Sequence, residues 1–102
     1  MLSILEALFS STARVQVLYL LLRNPARQYY QREIERETGQ PIQAVQREVG
    51  RLAELGLLQR SEEGNRVFYS LNPEFPLLGE LTSLFLAAAG DQAREEAATP
   101  AR

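Results

Sequence analysis

The sequence predicts a mainly α-helical fold with a small β-hairpin, and three adjacent features of residues 28–71 support this prediction. A short polar helix is broken at Thr38-Gly39, and a second helix starts at Pro41 and ends at Gly56. Two runs typical of strands follow, residues 57–61 and 66–71, joined by a turn at residues 62–65. Helix, tight turn, helix and hairpin is the order of a winged helix-turn-helix, so this is the predicted fold class.

The segments before this unit predict two helices packed against each other. Residues 2–9 form a short amphipathic opening, and the hydroxyls of residues 10–12 can cap the helix that follows. Residues 12–23 are apolar on nearly every side, which predicts burial on more than one side and apolar surface to spare. Asn24-Pro25 ends this helix, because proline disfavours the helical conformation in the residue before it.

The helix-turn-helix begins with a short strand at residues 28–30 and a helix at residues 31–38, in which Ile34 is the only aliphatic residue. Gly39 suits the left-handed position that closes a helix, and Pro41 suits the first turn of the next one. These residues therefore predict a tight turn between the two helices.

The helix at residues 42–55 is the predicted recognition helix. Val45, Val49 and Leu52 recur at helical spacing and are expected to face the core. The opposite face is polar, and its N-terminal half carries the candidate base-reading residues Gln43, Gln46 and Arg47. Glutamine can form paired hydrogen bonds to adenine and arginine to guanine. The face alone would equally fit a solvated helix surface, and its place directly after the Thr38-Gly39 turn favours the DNA-reading interpretation.

The hairpin of residues 59–69 is the predicted wing, which would touch the DNA backbone or minor groove. Gly64 and Asn65 tolerate positive φ in a turn, and arginines flank them. A surface ion pair between Arg66 and Glu62 or Glu63 is the alternative role for Arg66. The predicted contacts with the DNA backbone are Arg32, Arg51, Arg60, Asn65 and Arg66.

The last predicted helix, residues 75–89, carries a wide apolar stripe for the end of a small domain. Packing on its own domain would explain the stripe, but a dimer interface shared with the N-terminal helices is the preferred interpretation. The predicted interface residues are Leu5, Leu77, Leu81, Leu84 and Phe85. The predicted organisation is one domain at residues 1–89 with terminal dimerisation helices, followed by a disordered polar tail at residues 90–102.

Composition limits the other function classes. The 102 residues contain no cysteine and no histidine, so disulfides, thiolate metal sites and histidine catalysis are excluded, and neither a metal, a cofactor nor an enzyme activity is expected. No apolar run is long enough for a membrane span and no secretory signal is apparent, which predicts a cytoplasmic protein. The 13 acids and 11 bases argue mildly against a DNA partner, although a local basic face is sufficient. All the bases are arginine, for which a genome that favours arginine codons is the simpler explanation.

Several short segments together resemble the ArsR-like winged-helix transcriptional regulators. They are Thr38-Gly39, residues 44–48, Leu52, residues 55–58 and residues 64–69, with a similar opening at residues 8–14. The resemblance covers roughly residues 5–84, and it implies a dimer whose recognition helices occupy successive major grooves of double-stranded DNA. The thiol and imidazole ligands of metal-sensing members are missing, so metal sensing does not carry over. The predicted function is a sequence-specific regulator, most simply a repressor, acting as a homodimer. A protein-interaction module on the same fold is the alternative, and the sequence does not identify a small-molecule effector.

Overall fold

The computed structural model describes the backbone of residues 2–98 and the side chains of residues 2–90. The chain is helical except for a short strand after the second helix and a hairpin before the last helix. The helices are α1 (Leu2–Phe9), α2 (Thr12–Leu22), α3 (Gln31–Thr38), α4 (Ile42–Leu55) and α5 (Leu78–Ala98). The strands are β1 (Tyr29–Tyr30), β2 (Leu58–Glu63) and β3 (Arg66–Leu71). The predicted fold class is therefore confirmed.

Helix α2 forms the centre of the domain. It packs against α1, α3, α4, α5 and β3, and its aliphatic side chains are buried all round. Ser11 caps the helix by accepting a hydrogen bond from the Arg14 backbone N–H at 3.0 Å, which confirms the predicted hydroxyl cap. The expectation that α2 keeps apolar surface for a partner subunit is wrong, because the neighbouring elements of its own chain cover that surface.

The turn between α3 and α4 is the one that glycine and proline predict. Gly39 has a φ of 74°, in the left-handed region, and its N–H bonds the Glu35 carbonyl at 2.9 Å. Pro41 directly precedes α4 with a φ of −59°. Ile34 anchors α3 through a completely buried side chain, and α3 packs on both α2 and α4. This turn sets the orientation of α4 relative to α3.

The three strands form an antiparallel sheet in the order β1-β3-β2. Tyr30 pairs with Phe68 across β1 and β3, and Glu63 pairs with Arg66 at the hairpin tip. The turn is Gly64-Asn65, shorter than the predicted turn at residues 62–65, because Gly64 takes a φ of 63° and closes the hairpin in two residues. The strands of the wing are correspondingly longer than predicted.

Helix α5 starts and ends later than predicted. Pro76 disfavours helix at Phe75, and Asn72 accepts a hydrogen bond from the Glu74 N–H at 3.0 Å, so residues 72–77 form turns. The helix continues past Gly90 to Ala98 through a stretch rich in alanine and glutamate, which favour helix. The predicted disorder of residues 90–102 stays a prediction, since the side chains of 91–98 and all of 99–102 lie outside the described residues.

Helices α1 and α5 pack together at one end of the domain. The rings of Phe9 and Phe85 lie 6.0 Å apart, and Phe85 is completely buried. Within the described part of the chain, none of these helices has the length and apolarity that a membrane crossing requires.

Candidate nucleic-acid interface

The first two turns of α4 present the predicted base-reading side chains to solvent. Val45, Val49 and Leu52 are buried on one face of this helix, as the spacing predicts. On the other face Gln43, Gln46 and Arg47 are exposed. Helix α4 is held from behind by α2, α3 and β2. The structure therefore brings these three residues together on one accessible, rigidly supported surface.

Arg47 has a buried neighbour that sequence reasoning missed. The Glu48 side chain is only 2% exposed, and its Oε1 accepts a hydrogen bond from Arg14 Nε on α2 at 2.8 Å. Its Oε2 lies 3.7 Å from Arg47 Nε. A sequence signal for this burial exists, because Glu48 lies three residues after Val45 and four before Leu52, on the apolar stripe.

A second part of the candidate interface is a cleft of about 340 Å³ between the wing and the start of α3. It brings together Arg32, Arg60 and Arg66, which are predicted backbone-contact residues from three different elements. The pairing of β1 with β3 is the cause, because it places the start of α3 beside the wing. The remaining lining residues are Tyr30, Gln31, Val67 and Tyr69.

Carboxylates partly neutralise two of the cleft arginines. Arg32 lies 3.0 Å from the Glu35 carboxylate, and Arg60 lies 3.1 Å from that of Glu62. The pKa of the Arg60 guanidinium is raised above its ordinary value, first by its hydrogen bond to Glu62 and then by that to Tyr69. Both guanidinium groups have further N–H donors for an incoming acceptor, because each has five and the carboxylate contact uses only part of them.

Arg66 is held by an aromatic ring. Its guanidinium carbon lies 4.6 Å from the centre of the Tyr30 ring, and that ring packs edge-on against Phe68. The alternative ion pair with Glu62 or Glu63 does not occur among the described residues. Stacking fixes the guanidinium plane and leaves its hydrogen-bond donors for another ligand.

Two other predicted backbone contacts lie outside the cleft. Asn65 is exposed in the turn at the wing tip. Arg51 is exposed one turn after Arg47 on α4, where it lines a different, mostly apolar groove of about 450 Å³. The groove also has Arg14 in its wall, and its apolar lining is Phe9, Leu18, Leu52, Leu55, Leu57, Phe75, Leu77 and Leu81.

The predicted dimer-interface residues separate into two groups. Leu5 and Phe85 are 1% and 0% exposed, so they belong to the chain's own core. Leu77 and Leu84 are 58% and 44% exposed, and Leu81 is half-buried. Sequence periodicity did not separate buried Phe85 from exposed Leu84, because both lie on the broad apolar stripe predicted for the last helix. The other large exposed side chains of α1 and α5 are Ile4, Leu8 and Leu86.

The acidic side chains of the described residues do not form a metal site. Among the described residues there is no group of three or more histidine, cysteine, aspartate or glutamate side chains that could hold an ion. The expected lack of metal control stays a prediction.

Comparison with known proteins identifies the family. The family model of the MarR family matches residues 11–66, more than half of the chain. The match spans α2, the strand and helices of the helix-turn-helix, and the first strand and tip of the wing. The comparison with curated proteins gives no match.

Several solved structures share the fold. The AntR antimony-specific transcriptional repressor aligns over 78% of this chain and 68% of its own, with a TM-score of 0.61 and 22% identity. A possible transcriptional regulator from Methanosarcina mazei Go1 aligns over 95% of this chain and 85% of its own, with a TM-score of 0.64 and 17% identity. A probable transcriptional regulator from Pseudomonas aeruginosa aligns over 82% and 63%, with a TM-score of 0.55 and 29% identity. The resemblance to ArsR-like regulators is thus confirmed only as far as winged-helix transcriptional regulators, because the matching family is MarR.

Proposed function

Since the chain belongs to the MarR family of winged-helix transcriptional regulators, we propose that it is a homodimeric repressor that binds a specific DNA sequence. The observation that carries the proposal is the exposed N-terminal face of α4. Gln43, Gln46 and Arg47 stand there together, directly after the Gly39 turn and opposite the helix's buried face. In this proposal α4 enters the major groove, where glutamine reads adenine and arginine reads guanine.

The cleft beneath the wing supplies the contacts that do not depend on sequence. Arg32, Arg60 and Arg66 line the cleft of about 340 Å³, which could accept a phosphate group of the DNA backbone. Arginine suits this role because its planar fork of donors matches the oxygens of a phosphate. Asn65, which is exposed in the turn at the wing tip, would contact the backbone or the minor groove. Such contacts fix the register of the protein on the duplex, and the base contacts of α4 then select the sequence.

The homodimer is proposed to form through α1 and α5. Leu84 on α5, Leu77 just before α5, and Ile4 and Leu8 on α1 expose apolar side chains that the rest of the described chain does not cover. Leu5 and Phe85 support this surface from inside, because they lock the two helices together. A two-fold dimer would present two copies of α4 to half-sites about one helical turn apart.

The apolar groove beside α4 is a candidate site for a small effector. It combines an apolar lining with the guanidinium groups of Arg14 and Arg51, a composition that suits an aromatic carboxylate. BpsR of Bordetella bronchiseptica, whose solved structure is 21% identical to this chain, is regulated in its DNA binding by 6-hydroxynicotinic acid. Addition of that acid to the DNA complex should release DNA, whereas the corresponding uncharged amide should not. Release of DNA by both compounds alike would show that the carboxylate is not what this groove recognises, and release by neither would exclude this acid as the effector.

The test of the main proposal has two steps. A mobility-shift titration on mixed genomic DNA should give a complex that weakens steeply as salt rises, because phosphate contacts release counterions. Selection from random duplexes should then enrich a sequence with two-fold symmetry. A reporter gene carrying that sequence near its promoter should be expressed less when the protein is supplied, and increased expression would indicate an activator. The absence of both salt-dependent binding and an enriched sequence would favour a protein-interaction module instead.

A further inference from the structure

The buried carboxylate of Glu48 connects the centre of the domain to the proposed base-reading surface. Glu48 is the one charged residue in the buried core of the described chain, and it belongs to α4 itself. A buried carboxylate is costly unless it is paired. The groups that pair with Glu48 therefore indicate its role in the folded protein.

The two carboxylate oxygens have different partners. Oε1 accepts a hydrogen bond from Arg14 Nε at 2.8 Å, and Oε2 lies 3.7 Å from Arg47 Nε. The first distance is that of a strong charged hydrogen bond, whereas the second is electrostatic attraction without a hydrogen bond. Arg14 is thus the hydrogen-bonded partner of Glu48, and Arg47 is attracted to the carboxylate without a hydrogen bond.

This arrangement leaves Arg47 ready for an external acceptor. Its side chain is 53% exposed, and its contact with Glu48 involves Nε rather than the terminal nitrogens. Arginine has five N–H donors, and the donors on the two Nη atoms of Arg47 have no hydrogen bond within the described residues. These are the donors that would read the edge of a guanine.

We propose that Glu48 is a positioning residue for Arg47 and that Arg14 determines how strongly Glu48 attracts Arg47. Glu48 restricts the conformations of the Arg47 side chain before DNA arrives, which lowers the entropy lost when a base contact forms. Arg14 fixes the position of the carboxylate through Oε1, and this keeps Oε2 at 3.7 Å from Arg47 Nε, too far for a hydrogen bond. The inference rests on the proposed function of α4. The plainer role, in which Glu48 and Arg14 only fasten α4 to α2, predicts no effect on discrimination between DNA sequences.

The test measures the ratio of affinities for the selected operator and a scrambled duplex. Glu48→Gln keeps the size of the side chain and removes its charge, so the ratio should fall by about three- to tenfold. In an Arg47→Ala background the same substitution should leave the ratio unchanged, because its target is gone. Arg14→Gln should also lower the ratio, since Glu48 then holds Arg47 more tightly. Glu54→Gln is the matched control, because it removes an exposed carboxylate from the same helix and should leave the ratio unchanged.

Folding of each variant is checked by its circular dichroism spectrum and melting curve. If Glu48→Gln does not fold, the Arg14→Met, Glu48→Met double variant replaces the buried charges by apolar side chains, an exchange that proteins often tolerate. It should show the same reduced ratio.

The outcomes separate the two proposals. A wild-type protein without preference for any sequence overturns both the proposed function and this inference. A wild-type protein that discriminates, with a folded Glu48 variant that discriminates equally well, overturns the inference alone. If Glu48→Gln lowers the affinity ratio by the same factor in the presence and absence of Arg47, the inference is also overturned, because the effect would then be structural.

Discussion

Replacement of Arg47 and of Arg66 by alanine should weaken DNA binding in different ways, because Arg47 is proposed to read bases and Arg66 to bind the backbone. Arg47→Ala should lower operator affinity much more than affinity for a scrambled duplex. Arg66→Ala should lower both affinities alike and make the salt dependence shallower. The contrast tests the division of labour between α4 and the wing.

The structure sets the expected magnitudes. The Arg47 side chain is 53% exposed and its one ion-pair contact, with Glu48, is at 3.7 Å, so truncation removes no core packing. The loss then falls on binding: a bidentate base contact contributes about 1–3 kcal/mol, which is about 5- to 150-fold per half-site. Arg66 stacks on Tyr30 at 4.6 Å, and its replacement by alanine would remove one phosphate contact. The slope of log affinity against log salt should therefore become shallower by about 0.9 per protomer.

The assay is a fluorescence-anisotropy titration of each variant against both duplexes across a salt series. Arg23→Ala is the matched control for Arg66, since Arg23 also stacks on a tyrosine, Tyr19, at 5.0 Å and lies outside the proposed interface. It should leave the salt slope closer to the wild-type value than Arg66→Ala does. An unchanged affinity ratio in folded Arg47→Ala would refute the assignment of α4 to base reading. An unchanged salt slope in Arg66→Ala would refute the phosphate contact of the wing.

Three further predictions concern assembly, metal binding and the core. In sedimentation at micromolar concentration the wild type should be a dimer, and the Leu77→Glu, Leu84→Glu variant a folded monomer; Phe85→Ala, at a completely buried position, should instead lower unfolding stability by about 3–5 kcal/mol. A monomeric wild type would refute the dimer. Calorimetry with zinc should reveal no specific site, since neither cysteine nor histidine is present, and a stoichiometric submicromolar site would contradict this. Tyr29→Phe should not lower the urea midpoint, because the buried Tyr29 hydroxyl has no hydrogen-bond partner among the described residues. A midpoint lowered by this substitution would show that the hydroxyl has a partner.

The parts of the fold that sequence predicted well are those fixed by local signals. Helices α3 and α4 have the predicted bounds because Gly39, Pro41 and Gly56 mark their ends within one or two residues. The exposed face of α4 also follows from the spacing of its valines and leucines. Such features depend on backbone conformation and helical period, which neighbouring residues determine.

Contacts between distant segments were not predictable in this way. The cleft exists because Tyr30 pairs with Phe68, and nothing near Arg32 in the sequence indicates that pairing. Periodicity likewise assigned Phe85 to a dimer interface, although Phe9 and its neighbours bury it within the chain. The burial of Glu48 could be inferred from its place on the apolar stripe, but its partner Arg14 lies 34 positions away.

The net charge of −2 does not by itself exclude specific DNA binding, but two of the arginines that would bind phosphate have carboxylates beside them, Glu35 and Glu62. Arg60 pairs with Glu62 at 3.1 Å, so a phosphate must displace that carboxylate before it gains the full contact. In the proposed binding mode this competition would weaken binding to every sequence alike and would leave discrimination to α4. Glu62→Gln should therefore strengthen binding to operator and scrambled duplexes by the same factor, with a steeper salt dependence. Glu74→Gln, an exposed carboxylate outside the cleft, is the control for the change in net charge and should have a smaller effect. Equal gains for both variants would mean that overall charge, and not competition at the cleft, limits the affinity of this protein for DNA.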